Sequence, residues 1–533
     1  MKKISNLVLY GLIIISLSSC NNIKGSSSTS GIGTSTDSSN VSSNNTSNSV
    51  SSNINEVKTI DFYSINDFHG RISQRRDENS PGISKLSTYL NSKKEENPDG
   101  YVLISTGDTW QDTYESNYNK GALLSECFEE MDCEAMALGN HDFDWGLDVI
   151  KQNQELSPNC TFLAANVYNY PNQSTFASVG KEYKIIERKG VKIGIIGTIG
   201  STQNTSITSS VWENLSFKNT SEIVKSLSDE LRINQDCDVI LWLNHASFDS
   251  SDSSRITSVS PKSNKRYVDA VFNGHSHQRE TYLVNGVPFV QAGSHGVNVA
   301  HISISVDDEN NVTLNDFEHE GYGQISNCRE NPSIERIIDK YFTTDFLSAR
   351  DTQIGTLKSN SNYVDSYFAG SLLAKATFDL YENEMKDVDI VVNNGSRDSI
   401  NSGTVTTEDL FNLLPFTNYT YVCKGILGKD IIKEMKYLYY YLPDSSLVIQ
   451  EDEEYTIACI DYSLLHKNSK REYDYFPSYK KENVQYIIKD YSCDIVSKYL
   501  KEKSEIREND FYGPNFKMQW TTHHLKKWGL LRA

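Results

Sequence analysis

EAMALGNHDFDWG, residues 134–146, runs from a short apolar stretch straight into one Asn, one His and two Asp, with a Gly on either side of the polar cluster. An apolar run of this length, closed by Gly, has the dimensions of a buried strand. The same grammar recurs along the chain. VKTIDFYSI (57–65) is followed by NDFHG, and YVLIST (101–106) by GDTWQ. VKIGIIGTI (191–199) is followed by Gly200, CDVILWL (237–243) by NHAS, and VDAVFN (268–273) by GHSH. Stretches between them, such as 120–132 and 219–233, carry helical periodicity. Alternating strands and helices predict layered sheets with helices outside.

The polar clusters all lie just past the ends of apolar runs, where the sites of α/β structures form. They contain Asp67, His69, Asp108, Asn140, His141, His245, His275 and His277. Five of the eleven His in the chain are in this set. Carboxylate, imidazole and amide together suit Mn, Zn, Mg, Co or Fe. No Cys joins them, which argues against a thiolate zinc site. The donors are too many for one ion. Seven of them, with Asp108 shared, would serve two adjacent divalent ions, and ions about 3.5–4 Å apart suit phosphoryl displacement. His141 is then surplus as a ligand and is free to meet charge on a phosphoryl oxygen.

DFHG, GDTWQ, GNHDFDWG, NHAS and GHSH, in this order, resemble the calcineurin-like metallophosphoesterase superfamily, and within it the 5′-nucleotidase family. The resemblance is strongest over 57–320. It implies a two-sheet sandwich flanked by helices. It implies one metal on Asp67, His69, Asp108 and His277, and a second on Asp108, Asn140, His245 and His275. His141 and Asp144 match the family's catalytic dyad, the Asp orienting the imidazole. His295 reads as a loop residue near the site. Asp142 reads as a supporting residue or one that faces solvent, and Asp112 and Glu115 as residues that serve their loop. His301, His319, His466, His523 and His524 have no partners in sequence and read as structural or exposed.

Residues 321–352 read as a linker helix, with a capping-like start at Ser333 after Pro332 and apolar residues at helical spacing. Residues 353–533 carry no metal set and resemble the family's smaller α+β substrate-binding domain. SYFAGSLLAKATFDLY (366–381) looks helical, and VDIVVNNGSRDSI (388–400) looks like a strand entering a polar turn. The family motif Asn-x-Gly-x-x-Arg fits Asn393 and Gly395, but Asp398 stands in the Arg place and Arg397 comes one residue early. Phe416 in LPFTN matches an aromatic that stacks on the base. The family's second aromatic precedes Gly-Gly-Asp-Gly, which this chain lacks. Tyr462 is the candidate, with Tyr475 and Phe476 as rivals and Asp474 as the distant carboxylate.

The ends and the composition frame this reading. Lys2, Lys3 and the apolar run LVLYGLIIISL (7–17) form a signal-peptide pattern in residues 1–20. LSSC, ending at Cys20, resembles a lipobox, which implies lipidation of Cys20 and an anchor in the membrane outside the cytoplasm. Residues 21–56, rich in Ser, Thr and Asn, are too polar to bury a core and read as a tether. A net charge of −19 argues against a nucleic-acid polymer as partner. The eight later Cys show no disulfide framework and read as buried free thiols. The expected protein is an extracytoplasmic two-metal phosphohydrolase acting on a small phosphoester, a nucleoside 5′-monophosphate first of all. Alternatives are 2′,3′-cyclic nucleotides or nucleotide sugars on the same scaffold, and, in another class, a surface binding or adhesion lipoprotein.

Overall fold

The computed structural model describes residues 57–516, apart from 76–78, 173–178, 208, 360–362, 365 and 469. The signal-like run, Cys20, the polar tether, His523 and His524 lie outside the described residues.

Two six-stranded sheets dominate the first half of the chain. The first contains β1 (Lys58–Ile65), β2 (Tyr101–Ser105), β3 (Cys133–Ala137) and β4 (Thr161–Leu163). The second contains β5 (Tyr183–Arg188), β6 (Val191–Ile199), β7 (Val239–His245), β8 (Ala270–Asn273), β9 (Arg279–Val284) and β10 (Val287–Ala292). The chain then returns to the first sheet with β11 (Asn298–Val306) and β12 (Val312–Gly321). The strand orders are β12-β11-β1-β2-β3-β4 and β9-β10-β8-β7-β6-β5. β1 to β4 run parallel, as do β6, β7, β8 and β10. Their carboxyl ends therefore gather along one rim, which is where the polar clusters stand.

Strand alternation fixes the layers. Ile60 and Phe62 face inward, against residues of the second sheet such as Ile193, Leu241 and Phe272. Tyr63 and Ile65 face the other way, toward helices α1 (Ile83–Glu96) and α2 (Ala122–Glu130). α3 (Leu147–Leu156) adds Ile150 to that layer. α4 (Thr220–Ile233) covers the outer face of the second sheet with Val224, Leu227 and Leu231. The result is the expected sandwich flanked by helices.

The connector differs from its sequence reading. After a single helical turn at Tyr322–Ile325 it forms two longer helices, α5 (Pro332–Tyr341) and α6 (Thr344–Arg350). The cap of α5 is Asn331, whose side chain accepts a hydrogen bond from the Ser333 N–H, so Pro332 takes the first helical position and Ser333 lies inside. Proline suits that place because its missing N–H would have had no helical partner. Thr343 caps α6 in the same way, through the Phe346 N–H.

Beyond it, a five-stranded and a three-stranded sheet pack with helices Ser366–Leu380 and Ser492–Lys503 around a separate core containing Leu373, Val391, Leu410 and Val496. All eight described Cys are free thiols, six of them buried, as expected. Among the described residues no helix is long and apolar enough to cross a membrane.

The inter-sheet core is the first thing to test. Phe62 is fully buried there. Phe62→Ala should destabilise the fold by about 3–5 kcal/mol, through lost burial and the cavity left behind. A lower urea midpoint at unchanged slope is the expected reading.

Candidate active site

Each ligand candidate stands at the end of a parallel strand or in the turn just after it. Asp67 and His69 follow β1, Asp108 follows β2, and Asn140 follows β3. His245 ends β7, while His275 and His277 follow β8. Asp67, His69 and His277 form one group whose donor atoms all lie within 4.8 Å of one another. Asp108, His245 and His275 form another. Asp108 touches both: its Oδ2 is 3.8 Å from His69 Nε2 and 3.2 Å from His245 Nε2. Asn140 belongs with the second group, its Oδ1 being 3.2 Å from His245 Nε2 and 2.9 Å from His275 Nδ1.

The turns are tight in an unusual way. Asp67, His69, Asp108, His275 and His277 all have positive φ, between 49° and 75°. Non-glycine residues take this region at a cost of roughly 1–2 kcal/mol each. Gly139 permits the crowding: a Cβ there would collide with the Asp108 carboxylate and the His245 ring.

The donor set fits divalent cations. His69 Nδ1–H donates to the Gln111 carbonyl at 3.0 Å, which leaves Nε2 as a lone pair. That lone pair faces His277 Nε2 at 3.0 Å. His245 Nδ1–H donates to the Thr106 carbonyl at 2.6 Å, which turns its Nε2 toward the Asp108 carboxylate and the Asn140 amide oxygen. Backbone carbonyls fixing the far nitrogen of each imidazole are the usual outer support of a metal ligand. Acceptors facing acceptors are satisfied by a cation between them.

The close packing of these groups also moves their titration. Burial pushes Asp67 up to about 7, with Asp108 adding to the rise. Burial opposes charge on His245 too, yet Asp108 and Asp67 lift it to about 9. Burial and the nearby His245 bring His275 down to about 4, and burial and Arg397 bring His277 to about 4. Burial also opposes charge on Asp108, but His245, His141 and His69 hold it well below the usual carboxylate range.

His141 stands beside this set. Its backbone N–H donates to Asp108 Oδ1 at 2.8 Å, and its Nδ1 is 2.9 Å from Asp144 Oδ2. Asp142 has a positional role: its carboxylate accepts the backbone N–H groups of Asp108, Thr109 and Gly139 at 2.8–3.0 Å. It ties the loop after β2 to the loop after β3. His295 is near the site, as read, with its N–H on the Asp67 carbonyl at 2.8 Å.

A cavity of about 350 Å³ opens from this centre toward the second core. Phe416 and Tyr462 both line it, and so do Gly395 and Arg397. The rivals of Tyr462 are elsewhere: Phe476 is fully buried, and Tyr475 stacks on His466 at 4.2 Å. Asp474 is not a lining residue either. Asn393 departs from its reading. It ends a buried strand, paired with Tyr439, and the next residue, Asn394, lines the cavity instead. Arg397, not Asp398, reaches the centre. Its Nε donates to Asp112 Oδ1 at 3.1 Å, and its Nη2 lies 3.3 Å from His69 Nε2. Asp112 therefore does more than serve its loop, since it also holds Arg71 at 3.3 Å. Gln111, Trp145, Asn394 and Asn418 line the cavity without having been singled out. Gln111, Trp145 and Asn418 each had a signal, as members of GDTWQ, GNHDFDWG and LPFTN, and Asn394 lies in the polar turn NNGSRDSI.

With this geometry in place, the similarities to known proteins are specific. Residues 60–279 match the family model of the calcineurin-like phosphoesterases, and 348–437 match that of the 5′-nucleotidase C-terminal domain. The chain is 24% identical over 406 residues to the 5′-nucleotidase of Rattus norvegicus, a match spanning 66% of each chain. It is 22% identical over 521 residues to Protein UshA of Yersinia enterocolitica, covering 84% of this chain and 91% of that one. In fold it is similar to a 5′-nucleotidase precursor from Thermus thermophilus, with a TM-score of 0.67, 16% identity, and coverage of 84% of this chain and 97% of that one. The 5′-nucleotidase from Candida albicans gives a TM-score of 0.60 at 12% identity, over 83% and 98% of the two chains.

Asp142 offers a clean test of the loop tie. Asp142→Asn keeps the shape but sets an amide N–H₂ among three N–H donors. Divalent-ion affinity should fall by about 10–100-fold, the range for residues behind a ligand. Titration of Mn or Zn by calorimetry reads it directly.

Proposed function

The chain belongs to the 5′-nucleotidase family of calcineurin-like phosphoesterases, and on that premise we propose that it is a metal-dependent phosphomonoesterase releasing phosphate from nucleoside 5′-monophosphates. The observation that carries the reading is Asp108, one carboxylate in reach of both ligand groups. Asp67, His69, Asp108 and His277 would hold one ion, and Asp108, Asn140, His245 and His275 the other. Two divalent cations bound there would supply an activated water and positive charge for the phosphoryl oxygens.

The remaining residues bind and orient. His141 presents Nε2 to a phosphoryl oxygen, while Asp144 accepts the proton on Nδ1 and so fixes the tautomer and the ring plane. Arg397 brings a guanidinium to the same place from the other half of the chain and neutralises phosphate charge. Asp112 holds that guanidinium in position. Phe416 and Tyr462 stack on the base, where each face is worth about 1–3 kcal/mol. Gly395 and Asn394 complete the wall of the cavity. The pattern of residues 1–20 supports export, with Cys20 as the lipid anchor that keeps the body at the outer membrane surface.

Purified 57–533 with AMP should release phosphate, and a chelator should stop it; equal release in both would sink the metal mechanism. Asp108→Asn should abolish turnover. His141→Ala should lower kcat by about 10²–10⁴-fold. Arg397→Ala should act mainly on KM, by about 10–100-fold, as loss of a charge-assisted hydrogen bond predicts. A panel of mononucleotides, 2′,3′-cyclic nucleotides and UDP-sugars identifies the preferred ester.

A further inference from the structure

A second set of metal-type donors lies on one face of the first sheet. Register places it. His301 on β11 is opposite Tyr63 on β1 and opposite Glu318 on β12. Asp61 is two residues before Tyr63, and Glu320 two residues after Glu318. Alternation therefore puts Asp61, His301, Glu318 and Glu320 on one face of the sheet.

The imidazole is held as a ligand would be. It stacks on Tyr63, with centroids 4.5 Å apart and planes at 13°. Its Nε2–H points at Asp61 Oδ1, 3.3 Å away. That leaves Nδ1 as a lone pair, and it is buried with no hydrogen-bond partner. Glu320 is 7% exposed. Its Oε1 meets Lys93 Nζ at 3.3 Å, but its Oε2 is buried with no hydrogen-bond partner. Donor atoms of His301, Glu318 and Glu320 lie within 4.8 Å of one another. An ion with bonds of about 2.0–2.4 Å spans that spacing. A histidine donating one nitrogen to a carboxylate while the other is left bare is the recurring support of a metal-bound imidazole.

Charge completes the case. Asp61, Glu318 and Glu320 bring three carboxylates, against the single ammonium of Lys93. A water would give the two bare atoms a partner but would not offset the repulsion among the carboxylates. A divalent cation does both.

We propose that His301, Glu318 and Glu320, with Asp61 orienting the imidazole, form a third metal site that takes a borderline divalent cation such as zinc and pins β12 to β11 and β1. Nitrogen with two carboxylates favours zinc or manganese over calcium. The site is structural. It shares no residue with the centre on Asp108, so its fate is independent of the catalytic reading.

The test is metal content. Wild-type protein, Glu318→Gln and His301→Gln are equilibrated with zinc, desalted and analysed by mass spectrometry for zinc per chain. Glu318 is at the surface, so its substitution leaves the fold intact even if His301→Gln does not. Each variant should hold one equivalent less than wild type, with phosphate release from AMP unchanged. Zinc should also raise the Tm of Asp108→Asn protein, and Glu318→Gln added to that background should reduce the rise. Equal zinc content in wild type and Glu318→Gln, or an undiminished Tm rise, overturns the proposal.

Discussion

Asp108 is the constraint on which the rest of the structure depends. Its carboxylate is buried, accepts the His141 N–H, and faces imidazoles on both sides. A buried carboxylate is costly unless it is paired. The surroundings supply that pairing from four different strands, and only a sheet with parallel strands brings those ends together. The sandwich can thus be understood as a frame for one oxygen-rich point. Asp142 shows how stiff the frame is, since its carboxylate closes the gap between two neighbouring loops with three backbone hydrogen bonds.

The same constraint explains the backbone. Five of the seven ligand candidates sit in the left-handed region, at a free-energy cost that a loop alone would relax. Asp and His tolerate that region better than branched residues do. The side chains that suit a cation are therefore also those that suit the turns. Outward support comes from the backbone carbonyls of Gln111 and Thr106, which hold Nδ1 of His69 and His245 and turn their Nε2 atoms to the centre.

The two halves of the chain meet at this centre through charge. Arg397 crosses to Asp112, Arg75 to Glu408, and Arg350 to Glu115. Arg471 lies over the rings of Tyr170 and Trp212 and donates to the Leu215 carbonyl. These contacts are polar and largely shielded from solvent, in contrast to the apolar core between the two sheets. They set the cavity wall where Phe416 and Tyr462 face the ligand centre.

Much was legible in the sequence alone. Short apolar runs closed by Gly predicted the strands, because burial on both faces leaves little room for polar residues. The donors past their ends predicted the centre, because parallel strands must end on one rim. The second half was harder to read. Its site depends on which residue of a turn points inward, and NNGSRDSI looks the same whether Asn393 or Asn394, Arg397 or Asp398, does so. Only the tertiary structure decided for Asn394 and Arg397, by pairing Asn393 into a strand and fixing the guanidinium on Asp112. It also separated Tyr462 from Tyr475 and Phe476, which are adjacent in composition but face a cavity, a stacked His and a core respectively. The donors of the β1–β11–β12 face were beyond sequence altogether. Asp61 and Glu320 stand 259 residues apart in the numbering, and strand register alone brings them together. Local pattern fixes which residues are buried or polar, whereas which distant pairs meet is a matter of register and packing.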